Sequence, residues 1–569
     1  MKRICAMILS VLLLFSAGAV FSACDGNGAD GDAVTLTVYR ARANNHTVGD
    51  DDDVVEAAIE EAFYADTGIK IDLVMRMYEN DQLPDIVTTD IVSSRADVDA
   101  VMHTISADLS GSAIMNYAMD SYGTTIDVES LLQQYGQNIL AKIEEGDEDN
   151  KGMRAAYLPI ASGDSYEYQM KIIPAVYQQD DFAIMLRKDY WEEAYSAGYT
   201  QFNPEDYDIY TNADGYKHLK ISEFTQLMTE INTWDNALNG NAITYPVAGK
   251  YWDIARVVGS AFGADSFNNG MYNGSVVPNY FTDEWADFVG LLYDWSSGGV
   301  WERDSAQVND DTRTNNFLAG NHVAYMCYPT SEQLINISRR MSTADSSSSC
   351  MIIAPLADED GTVRGYYSQP RSFEGIIIPA KSTDAQVLVQ FIDWMYSDVE
   401  HYELAKYGIK GTHWVEGEDV TIGGETYKTW EYPANKAAQY NERPPYSGCW
   451  EILINLNVSN RIRGDWSPKE QAWYVYITQQ AETISNELEG INMPEVPRAY
   501  TASTTAMSNY YTDNIIGNAI AGRQSNGQDP DDALREYRST ALSSYADYFT
   551  WLNARYDDAE TFFANKFAE

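Results

Sequence analysis

The chain has 569 residues, 45% of them hydrophobic, which is enough for two or more domains with real cores and argues against intrinsic disorder. It carries 85 Asp and Glu against 38 Lys and Arg, and the formal net charge of −47 excludes a surface built to bind nucleic acid or anionic lipid headgroups. We attribute this charge to solubility outside the cell.

The start of the chain is typical of a secretory signal. Two cations open it, an apolar run follows, and small residues directly precede Cys24. A membrane-spanning helix would need roughly 20 apolar residues and an anchoring far flank, whereas an acidic, glycine-rich stretch follows here. We expect residues 1–23 to be a removed signal peptide and residues 24–33 to be a flexible tether. The cysteine after the cut resembles a bacterial lipobox, which would make Cys24 lipidated; a plain signal peptide with a coincidental cysteine is the alternative.

Three cysteines lie beyond this segment, at Cys327, Cys350 and Cys449. An odd number without C-x-x-C spacing predicts no disulfide framework and gives little support to metal or redox chemistry.

After the tether, the sequence predicts a strand, a helix and a strand. Residues 34–39 alternate β-branched and apolar side chains, and residues 51–68 predict a helix with acids in its first turn and Gly68 as its stop. A second strand follows at 69–75, and L-P-D-I-V (83–87) predicts a third. This spacing is typical of a βαβ unit and a mainly parallel sheet.

For the rest of the chain, the sequence predicts helices separated by short strands. We expect a long helical, acidic region over 96–150 and an extended run over 171–191 that has a polar break and passes into a helix. Further helices are predicted at 222–234, 252–262, 282–297, 383–396, 399–407 and 470–490 and at the end of the chain, with strands within 317–329, 351–356 and 373–380.

Several segments, through their order and spacing, carry a family resemblance. They are L-P-D-I-V, the run I-I-P-A-V-Y-Q-Q-D-D-F-A-I-M-L-R-K-D-Y-W (172–191), A-G-N-H-V-A-Y-M (319–326), F-I-D-W-M-Y-S-D-V-E-H-Y-E-L-A-K-Y-G-I-K-G-T-H-W (391–414), M-P-E-V-P (493–497) and N-A-I-A-G-R-Q-S (518–525). Together they resemble the family 1 extracellular solute-binding proteins, in particular the large lipoprotein-anchored oligosaccharide-binding members of Gram-positive bacteria. The sequence departs from the family at two places. Residue 321 is Asn where the family usually has Lys, and W-D-N-A-L-N-G-N (234–241) stands where the family has a calcium-binding-like loop. The sequence therefore does not decide whether a structural calcium ion binds there.

The resemblance implies a two-lobe α/β fold of the periplasmic-binding-protein type 2, with a mainly parallel sheet flanked by helices in each lobe and a cleft between the lobes. The expected division is 34–176 plus 375–414 for lobe one, 181–370 plus 445–569 for lobe two, and 415–444 as a crossing or insertion. Crossings between the lobes are expected at 174–181, at 370–374 and within 415–450.

Candidate ligand-binding residues follow predicted strands or lie in crossings, because ligands of such folds bind outside the carboxyl ends of strands and between domains. Carboxylates and guanidinium groups can engage two adjacent sugar hydroxyls, and aromatic faces can stack on a pyranose. Salt bridges, strand caps and core packing are the alternative roles for the same side chains. The candidates are Arg40, Thr89 and Asp90 in lobe one, Tyr177, Gln178 and Asp181 at the first crossing, Tyr251, Trp252 and Tyr328 in lobe two, Arg371 and Phe373 at the second crossing, and Tyr510 or its neighbour Tyr511.

The expected function is that of a lipid-anchored extracellular receptor, a monomer without cofactor or metal, that captures an oligosaccharide and delivers it to an ABC transporter permease. The chain lacks G-x-S-x-G, H-E-x-x-H and P-loop motifs, and its six histidines have no ligand spacing, so an enzyme is not expected. A secreted glycoside hydrolase, which needs only paired carboxylates, is one alternative. A sensor, an adhesion protein or a peptide binder with the same fold are the others.

Overall fold

The structure is a computed structural model that describes residues 33–42, 48–79, 82–92, 97–104, 125–146, 150–162, 165–175, 182–212, 215–265, 267–302, 308–368, 374–452 and 461–568. Its strands are β1 (Val34–Arg42), β2 (Ile71–Glu79), β3 (Ala100–Thr104), β4 (Tyr157–Ser162), β5 (Ser165–Met170), β6 (Ile172–Pro174), β7 (Ile184–Arg187), β8 (Val247–Ala248), β9 (Asn269–Tyr272), β10 (Ser275–Pro278), β11 (Ala324–Tyr325), β12 (Cys350–Ile353), β13 (Tyr366–Tyr367), β14 (Glu374–Ile377), β15 (Val415–Glu416), β16 (Val420–Ile422), β17 (Glu425–Tyr427), β18 (Thr429–Glu431), β19 (Ile462–Arg463) and β20 (Thr483–Ile484).

The α-helices, in chain order, are α1 (Asp52–Thr67), α2 (Leu83–Ile86), α3 (Glu129–Tyr135), α4 (Gln137–Gly146), α5 (Lys151–Arg154), α6 (Lys188–Ser196), α7 (Ile221–Trp234), α8 (Tyr251–Ile254), α9 (Ser260–Phe262), α10 (Asp283–Gly298), α11 (Asp310–Leu318), α12 (Ser331–Ala344), α13 (Ala385–Ser397), α14 (Val399–Tyr407), α15 (Ala437–Glu442), α16 (Pro468–Val475), α17 (Arg498–Tyr510), α18 (Gly517–Ile520), α19 (Pro530–Ser544) and α20 (Ala546–Lys566).

The first sheet has the strand order β2-β1-β3-β14-β6. The predicted strand–helix–strand start is confirmed, because β1 runs parallel to β2 and α1 connects them. Val55, Ile59 and Phe63 recur every fourth residue of α1, so they share one face and pack into the core of this sheet. Gly68 ends the helix with a φ of 71°, the left-handed conformation that glycine adopts without strain.

The second sheet has the order β12-β7-β11-β8. Strands β12 and β11 run antiparallel to β7, and only the β8–β11 pair is parallel; in the first sheet β14 runs antiparallel to both of its neighbours. In each sheet all strands but one therefore run in the same direction, so the mainly parallel sheets expected from the sequence are confirmed, each with one reversed strand. The direction of β7 and β14 is set by the crossings, since each of these strands enters its sheet from the other lobe rather than through a βαβ unit.

Each sheet has its own hydrophobic core, and we call the two units lobe one and lobe two. The first two passages between them fall at 176–181 and 369–373, which lie outside the described residues. Tyr446 and Trp450, which the sequence-based division assigned to lobe two, pack in the core of lobe one. The stretch 415–444 contains β15, β18 and the β16–β17 hairpin, and β15 and β18 form a small sheet with β19.

The chain crosses to lobe two again between Ile452, in the core of lobe one, and Trp473, in the core of lobe two. A later passage follows β20 and returns to lobe one. The side-chain amide of Asn492 donates to the backbone oxygens of Ala155 at 3.0 Å and Tyr157 at 3.1 Å. Beside it Gly490, with a φ of 79°, lies against the backbone oxygen of Lys151, only 2.0 Å from where a Cβ would be placed. Only glycine fits this close approach, so the crossing is held tightly on lobe one.

Helix α20 packs on both cores. Tyr548, Phe549 and Leu552 in its first half belong to the core of lobe two, whereas Ala559 and Phe563 in its second half belong to the core of lobe one. With 21 residues it is roughly 30 Å long, which is enough to bridge the two lobes.

Three predicted elements differ from the structure. L-P-D-I-V at 83–87 begins a helical segment, α2 and a π-helical turn at Val87–Val92, because β3 takes the sheet position beside β1. A short apolar run does not distinguish a buried strand from a helix. The predicted helix at 470–490 ends at Gln480, after which β20 pairs with β13, and the region 96–150 contains β3 as well as α3 and α4.

The cysteines Cys327, Cys350 and Cys449 are buried free thiols, and burial raises the pKa of each. Within the described ranges, no helix combines the length and apolar character needed to cross a bilayer. The same ranges contain no group of three or more His, Cys, Asp or Glu that could hold a metal ion.

Candidate ligand cleft

The candidate cleft lies between one edge of each sheet. In lobe one, β6 leaves the sheet where Pro174 pairs with Gly375, and β14 starts there beside the end of β3. In lobe two, Tyr325 at the end of β11 pairs with Met185 near the start of β7. The first crossing therefore joins the edge where β1 and β3 end to the edge where β8 and β11 end.

Two exposed aromatic side chains lie at the edge of lobe two. Trp252 in α8 follows β8 and Tyr328 follows β11, and these strands are parallel neighbours, so both residues lie at the same edge. Their exposed fractions are 40% and 56%, in a lobe whose other large side chains are mostly buried. The Trp252 ring is held by an edge-to-face contact with Tyr251 at 5.0 Å and by Lys250, whose Nζ lies 5.3 Å from the ring centroid.

The carboxylate of Asp253 joins the two aromatic positions. It is 2% exposed, accepts a hydrogen bond from Arg256 Nη1 at 3.1 Å and accepts another from the backbone N–H of Tyr328. Burial raises the pKa of Asp253 to about 6, although the nearby guanidinium and the N–H donor both act to lower it. The carboxylate thus fixes the backbone of Tyr328 relative to the helix that carries Trp252.

Arg256 extends this arrangement toward the crossings. It lies in a π-helical turn, Ala255–Gly259, and its guanidinium is 5.2 Å from the ring of Phe182 and 5.4 Å from that of Phe267. Phe182 is the first described residue after the first crossing, and Phe267 contacts Tyr367, which precedes the second, at 5.2 Å edge to face. Arg256 therefore connects the exposed aromatic pair to both hinge segments.

In lobe one the corresponding edge presents Asp90. The hydroxyl of Tyr39 donates to Asp90 Oδ2 at 3.0 Å, and Arg76 Nη1 donates to the Tyr39 oxygen at 3.3 Å. The ring of Tyr39 also packs on that of Tyr78, with centroids 5.1 Å apart. Burial, with hydrogen bonds to Tyr78 and Asp90, raises the pKa of Tyr39, so the hydroxyl stays protonated and holds the Asp90 carboxylate in one orientation.

A partly open recess lies between lobe two, the passage that follows β20 and α20, and we call it the waist recess. Asp265, Tyr367, Ser368, Glu489 and Tyr556 are among the residues that line it.

By sequence, no protein-family model and no curated protein matches the chain. By structure, the alginate-binding protein AlgQ2, solved without calcium ion, has a TM-score of 0.58 at 14% identity, with 93% of this chain and 99% of that chain covered. A solute-binding protein that binds HMO and is associated with an ABC transporter, from Bifidobacterium longum infantis, has a TM-score of 0.58 at 13% identity, covering 92% and 99%. The N-glycan transport solute-binding protein NgtS of Streptococcus pneumoniae has a TM-score of 0.56 at 11% identity, again covering 92% and 99%.

The chain has the solute-binding-protein fold. The two-lobe α/β class predicted from the sequence is confirmed, since the likeness covers more than nine-tenths of the chain and nearly all of each solved structure.

Within this solute-binding fold, several predicted site residues are engaged in packing. Arg40 Nη1 donates to the backbone oxygens of Cys449 at 2.8 Å and Gly448 at 3.3 Å, which ties β1 to the segment that follows α15. Tyr510 stacks on Tyr537, with centroids 3.7 Å apart. These contacts give Arg40 and Tyr510 a role in packing and do not test whether either side chain also contacts a ligand, so their ligand roles stay predictions.

Three further residues, which are candidates themselves or lie close to one, differ in their surroundings. The buried hydroxyl of Tyr511 accepts a hydrogen bond from Trp285 Nε1 at 2.7 Å. Thr89 is exposed in the helical turn that carries Asp90, and Thr330, beside Tyr328, is buried at the start of α12.

The remaining candidates of the solute-binding fold lie outside the described residues. They are Cys24 at the start of the chain, Tyr177, Gln178 and Asp181 in the first crossing, and Arg371 and Phe373 in the second.

Sequence reasoning missed the buried residues that position the exposed ones. Asp253 and Arg256 are three positions apart directly behind Trp252, an i,i+3 ion-pair spacing that a helix brings together and that could have indicated them. Tyr39 and Arg76 lie 37 residues apart, and no local pattern connects them; only the pairing of β1 with β2 does so.

Proposed function

We propose that this chain is an extracellular solute-binding protein that captures a carbohydrate and delivers it to the permease of an ABC transporter. The three solute-binding proteins of like fold are named for alginate, HMO and N-glycan, and their likeness covers at least 92% of this chain. The proposal assigns no catalytic residue. The ligand would be an oligosaccharide, since alginate and N-glycan, for which two of those proteins are named, are built of several sugar units.

The observation that carries the proposal is the exposed pair of Trp252 and Tyr328 at the edge of the second sheet that the first crossing enters. A pyranose presents C–H groups on its faces, and aromatic rings stack on them. Asp90 in lobe one supplies a carboxylate that can accept two adjacent hydroxyls. A sugar held by both lobes at once would stabilise the closed arrangement, because only that arrangement satisfies both sets of contacts.

Attachment to the outer face of the cell membrane through a lipid on Cys24 belongs to the same proposal. It is supported by the signal-like segment and the lipobox-like position of Cys24. The intact mass of the membrane-extracted protein tests it, since a mass without added acyl chains would contradict the anchor.

The test of the proposed function is isothermal titration of the mature chain with a panel of neutral oligosaccharides, with the sugars checked for cleavage afterwards. We expect binding of an unaltered sugar, weakened by Trp252→Ala about tenfold or more, which corresponds to about 1.4 kcal/mol. Tyr195→Ala is the matched control, because Tyr195 has a similar exposure of 41% but lies on α6, outside the cleft edges. Cleavage of the sugar would favour the hydrolase alternative, and binding of peptides alone would reject carbohydrate as the ligand class.

A further inference from the structure

The waist recess is lined in part by negatively charged side chains, whereas the exposed pair of Trp252 and Tyr328 is uncharged. Two of the residues that line it, Asp265 and Glu489, are carboxylates, and in the described part of the chain no cationic side chain lines it. Asp265 is half-buried, whereas the side chain of Glu489 is 6% exposed. The remaining lining includes hydroxyl groups, amides and aromatic rings, which are groups that suit a polar ligand.

Two cations near the recess, in the described part of the chain, are already engaged. Lys151 Nζ donates to Ser485 Oγ at 3.0 Å and lies 4.0 Å from a carboxylate oxygen of Glu489. Arg154 lies 3.8 Å from Glu560, and its guanidinium is 5.7 Å from the ring of a phenylalanine in α20. Neither side chain is placed to neutralise Asp265 at close range.

The surroundings of Asp265 add negative charge. Burial chiefly, together with the carboxylates of Glu284 and Glu487, raises the pKa of its carboxyl to about 6, whereas a hydrogen bond from its own backbone N–H and the charge of Lys151 act to lower it. At neutral pH this carboxyl is ionised in a place that favours a positive partner. Nothing in the lining offers the planar guanidinium fork that a carboxylate ligand needs.

We propose that the waist recess binds a sugar unit that bears an ammonium group and excludes sugar units that bear a carboxylate. This inference rests on the proposed function, since it concerns the class of carbohydrate bound by this protein. An ammonium beside Asp265 gains a charge-assisted hydrogen bond, whereas a uronate there meets a like charge; Glu489 acts in the same direction, although Lys151 at 4.0 Å offsets part of its charge. The hydroxyl groups of a neutral sugar unit can also donate to these carboxylates, but without the Coulombic attraction of an ammonium.

The walls of the recess also relate it to the lobes. Asn269 and Val276 belong to the β9–β10 hairpin of lobe two, Gly490 belongs to the passage held on lobe one, and Tyr556 lies at the middle of α20. A ligand in the recess thus contacts segments that are attached to both lobes.

The test compares four matched disaccharides by isothermal titration near neutral pH: a glucosamine dimer, its N-acetylated form, cellobiose and a mannuronate dimer. We expect the glucosamine dimer to bind at least tenfold more tightly than cellobiose and the mannuronate dimer to bind most weakly. In Asp265→Asn, which keeps the shape of the side chain, the preference for the amine should fall to less than threefold. Glu489→Gln should act in the same direction.

Glu425→Gln is the control for surface charge, because Glu425 is an exposed carboxylate in the β16–β17 hairpin; it should leave the preference unchanged. Mannuronate binding as tight as that of cellobiose would overturn the inference, as would an amine preference that persists in Asp265→Asn. If neutral oligosaccharides bind and respond to Trp252→Ala while the amine confers no advantage, the proposed function stands and this inference fails. Binding of no sugar at all would reject both.

Discussion

Tyr328 has a backbone φ of 41°, in the left-handed region that side chains with a Cβ rarely adopt. This conformation costs roughly 1–2 kcal/mol, and it persists here because the N–H of Tyr328 is bound by the buried carboxylate of Asp253. The ring is 56% exposed and gains little from packing, so its position contributes little to the stability of the unliganded protein. A strained, exposed ring at the edge of a cleft is better explained by a contact made in the bound state.

Tyr328→Gly is therefore expected to change stability and affinity in opposite directions. Glycine adopts the same φ without strain, so the free energy of unfolding should rise by about 1 kcal/mol, although part of that gain is lost to the greater freedom of glycine in the unfolded chain. The affinity for the oligosaccharide should fall, because the ring is lost. Chemical denaturation and titration of the same variant check both signs; a fall in stability with unchanged affinity would contradict the assignment.

Asp253 predicts a pH dependence of binding. Its pKa in the folded protein is raised to about 6, so the carboxyl becomes neutral as the pH falls below 6 and holds Arg256 and the Tyr328 backbone less firmly. We expect affinity to fall between pH 7 and pH 5 in the wild type and to change less in Asp253→Asn. The pKa of Asp265 is also raised to about 6, so Asp265 could contribute to the same pH dependence. Repeating the titration in Asp265→Asn distinguishes its contribution from that of Asp253.

The same shift has a defined sign for stability. Because the folded-state pKa of Asp253 lies above the ordinary aspartic acid value of 3.8, its contribution to stability is fully present below about pH 4 and is lost as the pH rises through 6. The difference in free energy of unfolding between the wild type and Asp253→Asn should therefore change between pH 4 and pH 6 and be constant above it. A difference that is constant over that whole range would show that the carboxyl titrates normally.

At the scale of elements, the sequence predicted those whose signals are local. The helix that became α1 has an apolar face and a glycine stop, and the boundaries of α14 at 399–407 were predicted correctly. The third strand was misplaced to 83–87, because an apolar run of five residues satisfies a strand and a helix equally well. Which segment pairs with β1 depends on the rest of the sheet, and that information is not local.

Helix α20 is expected to couple the unfolding of the two lobes. Phe563, 1% exposed, contacts Tyr157 of lobe one edge to face at 6.1 Å, so Phe563→Ala should cost about 3–5 kcal/mol in the first core. Calorimetry should then show two transitions, with lobe one unfolding first, where the wild type shows one.

Phe549→Ala is the matched variant, because it removes a ring of the same helix from the second core. It should instead lower the transition of lobe two. If both variants shift a single transition equally, α20 does not set the coupling between the lobes in the way we describe.

For the whole molecule, the sequence predicted the two-lobe class, but it could not supply the way in which the lobes are joined. The family resemblance carried the order of the segments, whereas the sequence-based division left α20 entirely in lobe two. Its amphipathic pattern gives no sign that its halves face different cores, since partners such as Tyr157 and Val276 are more than 250 residues away. The sequence predicted a cleft between two lobes, but it did not predict the buried residues that hold the exposed side chains of that cleft in place.

Closure of the lobes is the expected response of the whole molecule to its ligand. Small-angle scattering should show a smaller radius of gyration when a bound oligosaccharide saturates the wild type. Trp252→Ala at the same sugar concentration should show a smaller change, because a lower fraction is bound. An unchanged radius at saturation would contradict a cleft that closes.

Helix α20 also determines the point during synthesis at which the cores of the two lobes can be joined. It lies on the C-terminal side of both lobes, so every strand of the two sheets is synthesised before the residues that join their cores. A chain that stops before Ala546 would contain both sheets but would leave part of each core open to water. Such incomplete products would expose apolar surface to proteases, so digestion should remove chains that lack α20 faster than chains that contain it.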